Sequence, residues 1–193
     1  MSSRQNSASN NKSHQGVCKT LRNALALNSH FYENTRNTPR NRKLAITIVT
    51  LAAFSHALGS AVILLINRAT FPILLVALLI DILSIVIGYY FWTFTILKIG
   101  QWLKPIDPTY GDLLSPIGFA YAPQVLSFLT LIPLLGRPIE LILAVWSLLA
   151  VIIAVRQGLD ISTRKAALIC LVGWPLIQIA IGFVQVLEQK LLK

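Results

Sequence analysis

Two ionisable side chains stand inside long apolar runs, His56 within Leu44–Ile66 and Asp81 within Ile73–Leu97. An ionised group left alone in a hydrocarbon core costs a few kcal/mol, so each needs a partner or a route to water. At a helical rise of about 1.5 Å per residue, His56 lies roughly 15 Å and Asp81 roughly 12 Å from the outer ends of their runs. Antiparallel neighbours bring the two level. The same count puts Ser147 and Gln178, on two later runs, near roughly 12 Å, so a midplane polar layer of His56, Asp81, Ser147 and Gln178 is expected. Such a layer could carry a proton or cation, with Asp81 as carrier and His56 titrating near neutral pH. It could equally be a hydrogen bond that fixes how two spans pack. The structural reading is preferred, because one carboxylate is a thin basis for a transport path.

Other chemistry finds little footing. The chain has 3 His, one of them in a polar tail, and lacks a Gly-rich phosphate loop, a metal-ligand cluster and a serine elbow. A non-enzymatic protein without metal or cofactor is expected. Cys18 and Cys170 lie in a basic arm and in the last apolar run, settings too different for a disulfide.

The elements that hold these residues are legible as five apolar runs: Leu44–Ile66, Ile73–Leu97, Ile117–Leu135, Ile139–Val155 and Ala166–Leu187. Each is about long enough to cross a hydrocarbon core of roughly 30 Å as a helix. Composition agrees: 55% hydrophobic and 12% charged residues leave too little polar surface to wrap a soluble domain of 193 residues. The expected fold is all-α, a polytopic membrane helical bundle of five transmembrane helices with an N-terminal amphipathic interfacial helix. Three parts follow: a disordered polar tail over 1–16, a basic amphipathic arm over 17–43, and the membrane domain over 44–193. The tight connection Leu134-Leu135-Gly136-Arg137-Pro138 leaves open a re-entrant hairpin in place of two full spans.

A net charge of +10 would suggest nucleic acid in a soluble protein, but here the cations flank apolar runs and set orientation. With the N-terminus inside, 13 of the 17 Lys and Arg fall on the inner side, leaving Arg68, Arg137, Lys190 and Lys193 outside. N-in, C-out follows. No cleavable signal peptide is expected, since the first apolar run starts late and is too long for a signal core.

Within the arm, Val17, Leu21, Ala24, Leu25, Phe31 and Tyr32 recur near a helical period, with Lys19 and Arg22 between them. A helix over 17–32 would lay that stripe either into lipid, its cations against anionic headgroups, or onto the protein's own cytoplasmic loops. Arg40, Arg42 and Lys43 extend the basic edge. The loop Lys98–Pro116 joins Trp102, Lys104 and Tyr110 with Pro105, Pro108 and Gly111, and is expected to lie along the membrane surface as an anchor. Two cations beside Asp107 and Asp112 make a poor phosphate groove, so nucleic acid is not an expected partner. Pro123, Pro133 and Pro175 are expected to kink helices. The pairs Ala53/Ala57, Ser55/Gly59 and Ala150/Ala154 suit close helix packing. The bundle's internal faces account for them without a second copy of the chain.

The stretch Tyr110–Phe183 then carries a resemblance, through Ala120-Tyr121-Ala122-Pro123, the turn Ile132-Pro133-Leu134-Leu135-Gly136, the span Val145–Arg156 and the loop Gly158–Thr163. It resembles the membrane domain of the Yip family in its prokaryotic branch, as does the arm over Leu25–Leu44. The resemblance implies five passes in a bacterial inner membrane or a thylakoid, with no residue inheriting a catalytic role. Eukaryotic relatives act in vesicle traffic by binding prenylated GTPases of the Rab type. Their long acidic N-terminal region has no counterpart here, and Tyr110-Gly111-Asp112 matches only a fragment of their Asp-Leu-Tyr-Gly-Pro signature. The expected function is a membrane organiser that binds lipids or unknown membrane partners through the arm and the Trp102 loop. A small-solute or ion transporter built on the polar layer is the alternative. An odd number of spans cannot form two equal repeats, which favours the organiser.

Overall fold

The computed structural model describes residues 16–35, 38–66, 68, 70–103, 109–132 and 134–173, and every regular element among them is helical. Two short helices, α1 (16–25) and α2 (Ser29–Glu33), precede two long ones, α3 (Pro39–Ile66) and α4 (Phe71–Leu103). Next come α5 (Tyr110–Phe119), a 3-10 helix (Ala122–Leu131), α6 (Gly136–Gly158) and α7, described over 163–173. Among the described residues, four stretches are long and apolar enough to cross a bilayer: Pro39–Ile66, Phe71–Trp102, Tyr110–Leu131 and Gly136–Gly158. The chain is a multi-pass membrane protein, because only helices satisfy their own backbone groups in lipid. The expected fifth span is described only as far as 173. The tail over 1–15, Lys104, Pro133, Pro175 and Gln178 lie outside the described residues.

At 28 and 33 residues, α3 and α4 are longer than the expected first and second spans. Their lengths, roughly 42 and 50 Å, exceed the hydrocarbon thickness, so each leaves the core at one end. On α3 that end carries Arg40, Arg42 and Lys43; on α4 it carries Lys98 and Trp102.

Three expectations need correction. The helix expected over 17–32 is broken at 26–28, where Leu27 takes φ 52° and the Asn28 side chain caps the next helix by accepting from the backbone N–H of His30 and Phe31. A left-handed residue followed by an Asn cap ends one helix and starts another. The loop expected over Lys98–Pro116 is far shorter, because α4 continues to Leu103 and α5 starts at Tyr110. The Asp112 carboxylate starts α5 by accepting from the backbone N–H (3.1 Å) and the hydroxyl of Thr109. Finally, the third span is shifted toward the N-terminus and composite: α5 leads through Ala120 and Tyr121 into ten residues of 3-10 helix. Pro123 sits in the first turn of that segment, where a missing N–H is harmless.

Among the described residues, the main buried cluster gathers where α5 meets its neighbours. Leu113–Phe119 of α5 are all buried, between α3, α4 and α6. Glycines permit the approach. A Cβ at Gly118 would lie 2.7 Å from Ala45 Cβ on α3, and one at Gly158 would lie 2.8 Å from Leu113. Tyr89 of α4 closes the same region, its hydroxyl donating to the Leu114 carbonyl at 2.7 Å.

Candidate functional site

His56 and Asp81 face each other between α3 and α4, with His56 Nδ1 3.3 Å from Asp81 Oδ2. The same carboxylate oxygen accepts a 2.6 Å hydrogen bond from Ser60 Oγ. Ser60 follows His56 by one helical turn, so α3 presents both to the same neighbour. The contact is half open: the His56 side chain is 53% exposed and that of Asp81 25%. Two helices thus bring one imidazole and one carboxylate together within the membrane-spanning segments.

Ser147 belongs to another group. Its hydroxyl accepts from Gln124 Nε2 at 2.9 Å, and Ser127 Oγ donates to Gln124 Oε1 at 3.1 Å. Thr130 Oγ1 donates to the Ser127 carbonyl at 2.7 Å, while Ser55 Oγ, on α3, accepts from the Phe128 N–H at 2.9 Å. Gln124, Ser127 and Thr130 are three residues apart, the period of a 3-10 helix, so they stack on one side of it. This polar ladder ties the 3-10 helix to α3 and α6. Among the described residues, His56 and Asp81 thus lie in one cluster and Ser147 in another, with Ser55 and His56 adjacent on α3.

Two readable signals lay in the sequence for the residues not singled out there. Ser60 follows His56 at helical spacing. The period-three run Gln124, Ser127, Thr130 argues against an ordinary α-helical span.

The arm forms the other candidate surface. Ala24 and Tyr32 are buried, and Leu21, Leu25 and Phe31 pack partly buried against the core. Phe31 meets the Phe119 ring at 5.3 Å, and Trp146 Nε1 of α6 donates to the Leu25 carbonyl at 3.1 Å. Tyr32 donates to the Ala24 carbonyl, and burial pushes its phenol above the ordinary range. The apolar stripe packs on the protein. Lys19, Arg22, Arg40, Arg42 and Lys43 are exposed around it, and Trp102 at the end of α4 is 91% exposed. Tyr110 is half-buried, its hydroxyl donating to the Tyr90 carbonyl at 2.9 Å. Lys98 rests 5.5 Å from the centre of the Phe94 ring.

Comparison with curated proteins and with solved structures gives no match. A family model described as the Yip1 domain matches residues 24–185, from the buried centre of the arm through the membrane helices. By that match over most of its length, the chain belongs to the Yip1 domain family.

Proposed function

We propose that this protein is a non-enzymatic membrane organiser that engages lipid headgroups and membrane-protein partners on its inner face. The bundle has five spans, N-in and C-out, in a bacterial inner membrane or a thylakoid. The observation that carries the reading is the ordered inner layer of α1, α2 and α5. Lys19 and Arg22 on α1 and Arg40, Arg42 and Lys43 at the start of α3 are exposed, and Trp102 at the end of α4 is 91% exposed. Cations and an aromatic at that level suit anionic headgroups and the juxtamembrane segments of other proteins. Packing of the arm stripe on the core supports a preformed surface, which loses less conformational entropy on binding than a flexible tail.

The test is affinity purification in mild detergent with mass spectrometry, run side by side for the wild type and for Trp102→Ala with Lys98→Ala. These side chains are exposed, so the variant is expected to fold. The expected result is a reproducible set of membrane partners or anionic lipids retained by the wild type and depleted in the variant. An identical set in both would count against the surface.

A further inference from the structure

Ten consecutive residues of the third span, Ala122–Leu131, form a 3-10 helix. Its hydrogen bonds are poorer than those of an α-helix, and runs beyond about three or four residues are uncommon. The sequence APQVLSFLTL gives no local reason for the form. It has no glycine, and its one proline, Pro123, sits in the first turn, where either helix type leaves the N–H unused. Contacts with neighbouring helices hold the segment instead.

Two hydroxyls supply those contacts. Ser55 Oγ of α3 accepts from the Phe128 N–H at 2.9 Å, a donor that an α-helix would direct to the Gln124 carbonyl four residues back. Ser147 Oγ of α6 accepts from Gln124 Nε2 at 2.9 Å. The ladder Gln124, Ser127 and Thr130 lines up at period three, whereas in an α-helix each successive member would turn away by roughly 60°. The facing surface of α3 is low: Ser55 and Gly59 stand one turn apart, and even a Cβ at Gly59 would lie 4.0 Å from Thr130 Oγ1. The next turn is tied to the segment more tightly. A Cβ at Gly136 would lie 2.5 Å from the Thr130 carbonyl oxygen, so the start of α6 must travel with the end of the 3-10 helix.

We propose that Ala122–Leu131 is a two-state element, a 3-10 helix latched by Ser55 and Ser147 that converts to an α-helix when a latch opens. At about 2.0 Å per residue in one form and about 1.5 Å in the other, the ten residues shorten by roughly 5 Å. The turn into α6 moves toward α5 by that amount. The Phe128 N–H passes to the Gln124 carbonyl, and the Gln124 side chain leaves Ser147. The device is internal to the helices, so it stands or falls apart from the inner-face reading.

Spin labels at Gln101→Cys, exposed near the C-terminal end of α4, and at Ile132→Cys, exposed just past the segment, report the change in a Cys18→Ser background. Cys170 is buried, so the Cys18→Ser chain without added cysteines should take up no label. Pulsed dipolar distance measurement on the full chain in proteoliposomes should give mainly one distance while both latches are intact. Ser55→Ala and Ser147→Ala, made separately, should each add a population about 5 Å shorter. Ser55→Thr keeps a hydroxyl and should retain the parent distribution. An unchanged distribution in both alanine variants, a longer distance in either, or a short population in Ser55→Thr equal to that of Ser55→Ala would overturn the proposal.

Discussion

Replacing Asp81 by leucine removes the one oxygen that accepts from both Ser60 Oγ, at 2.6 Å, and His56 Nδ1, at 3.3 Å. Two donors are then left in apolar surroundings. A fully buried orphan costs about 1–3 kcal/mol, but hydrogen bonds between membrane helices average about 0.6 kcal/mol in double-mutant cycles. His56 is 53% exposed, which also argues for the lower figure. Asp81→Leu should therefore lower stability by about 1–2 kcal/mol. Asp81→Asn keeps an acceptor and should lose less than about 1 kcal/mol. The pattern across variants is more telling than either value. With both His56 and Asp81 replaced, only the Ser60 hydroxyl loses its partner, so His56→Leu combined with Asp81→Leu should be less damaging than the sum of the singles, by about 0.5–1.5 kcal/mol. Reversible unfolding in mixed micelles, titrated with a denaturing detergent, measures all four. Strict additivity of the two singles, or an Asp81→Leu variant as stable as wild type, would refute the view that this contact joins α3 to α4.

Gly118→Ala sets a new Cβ 2.7 Å from Ala45 Cβ, with helix backbone behind it, and should destabilise by about 1–3 kcal/mol. Gly100→Ala meets the flexible tip of Leu159 at the same 2.7 Å and should cost clearly less in the same unfolding assay. Trp146→Phe deletes the donor to the Leu25 carbonyl, so about 1 kcal/mol is lost and limited proteolysis within the arm should quicken. Proteoliposomes of wild type and Asp81→Asn should show the same slow proton leak; a flux present in the first and lost in the second, at equal stability, would move the cluster from packing to transport.

Apolar run length made the membrane class legible, since it depends on nothing beyond the hydrocarbon thickness. Depth counting similarly placed His56 and Asp81 level, because both helices run regularly from a short turn. The third span was misjudged where local chemistry competes with hydropathy. Pro105, Pro108 and Gly111 read as breakers, yet Thr109 and Asp112 start α5 around Gly111, and Pro116 is accommodated inside it. The shift of Ser147 from the expected layer to Gln124 has a similar origin. A 3-10 helix rotates its side chains at period three, so depth alone misassigns their neighbours. The arm's stripe was visible, but its destination was not: Phe31 on Phe119 and Trp146 on the Leu25 carbonyl are long-range contacts that no local pattern encodes.

The inner-face reading depends above all on which side the arm occupies, and Cys18 reports it directly. It is exposed on α1, in the part of the chain before the first span that carries 8 of the 17 Lys and Arg. In intact bacterial cells expressing the protein, an impermeant maleimide should leave Cys18 unlabelled, and inverted membrane vesicles from the same cells should label it fully. Labelling in intact cells, with protection in the inverted vesicles, would place the arm and Trp102 on the outer face and contradict the account.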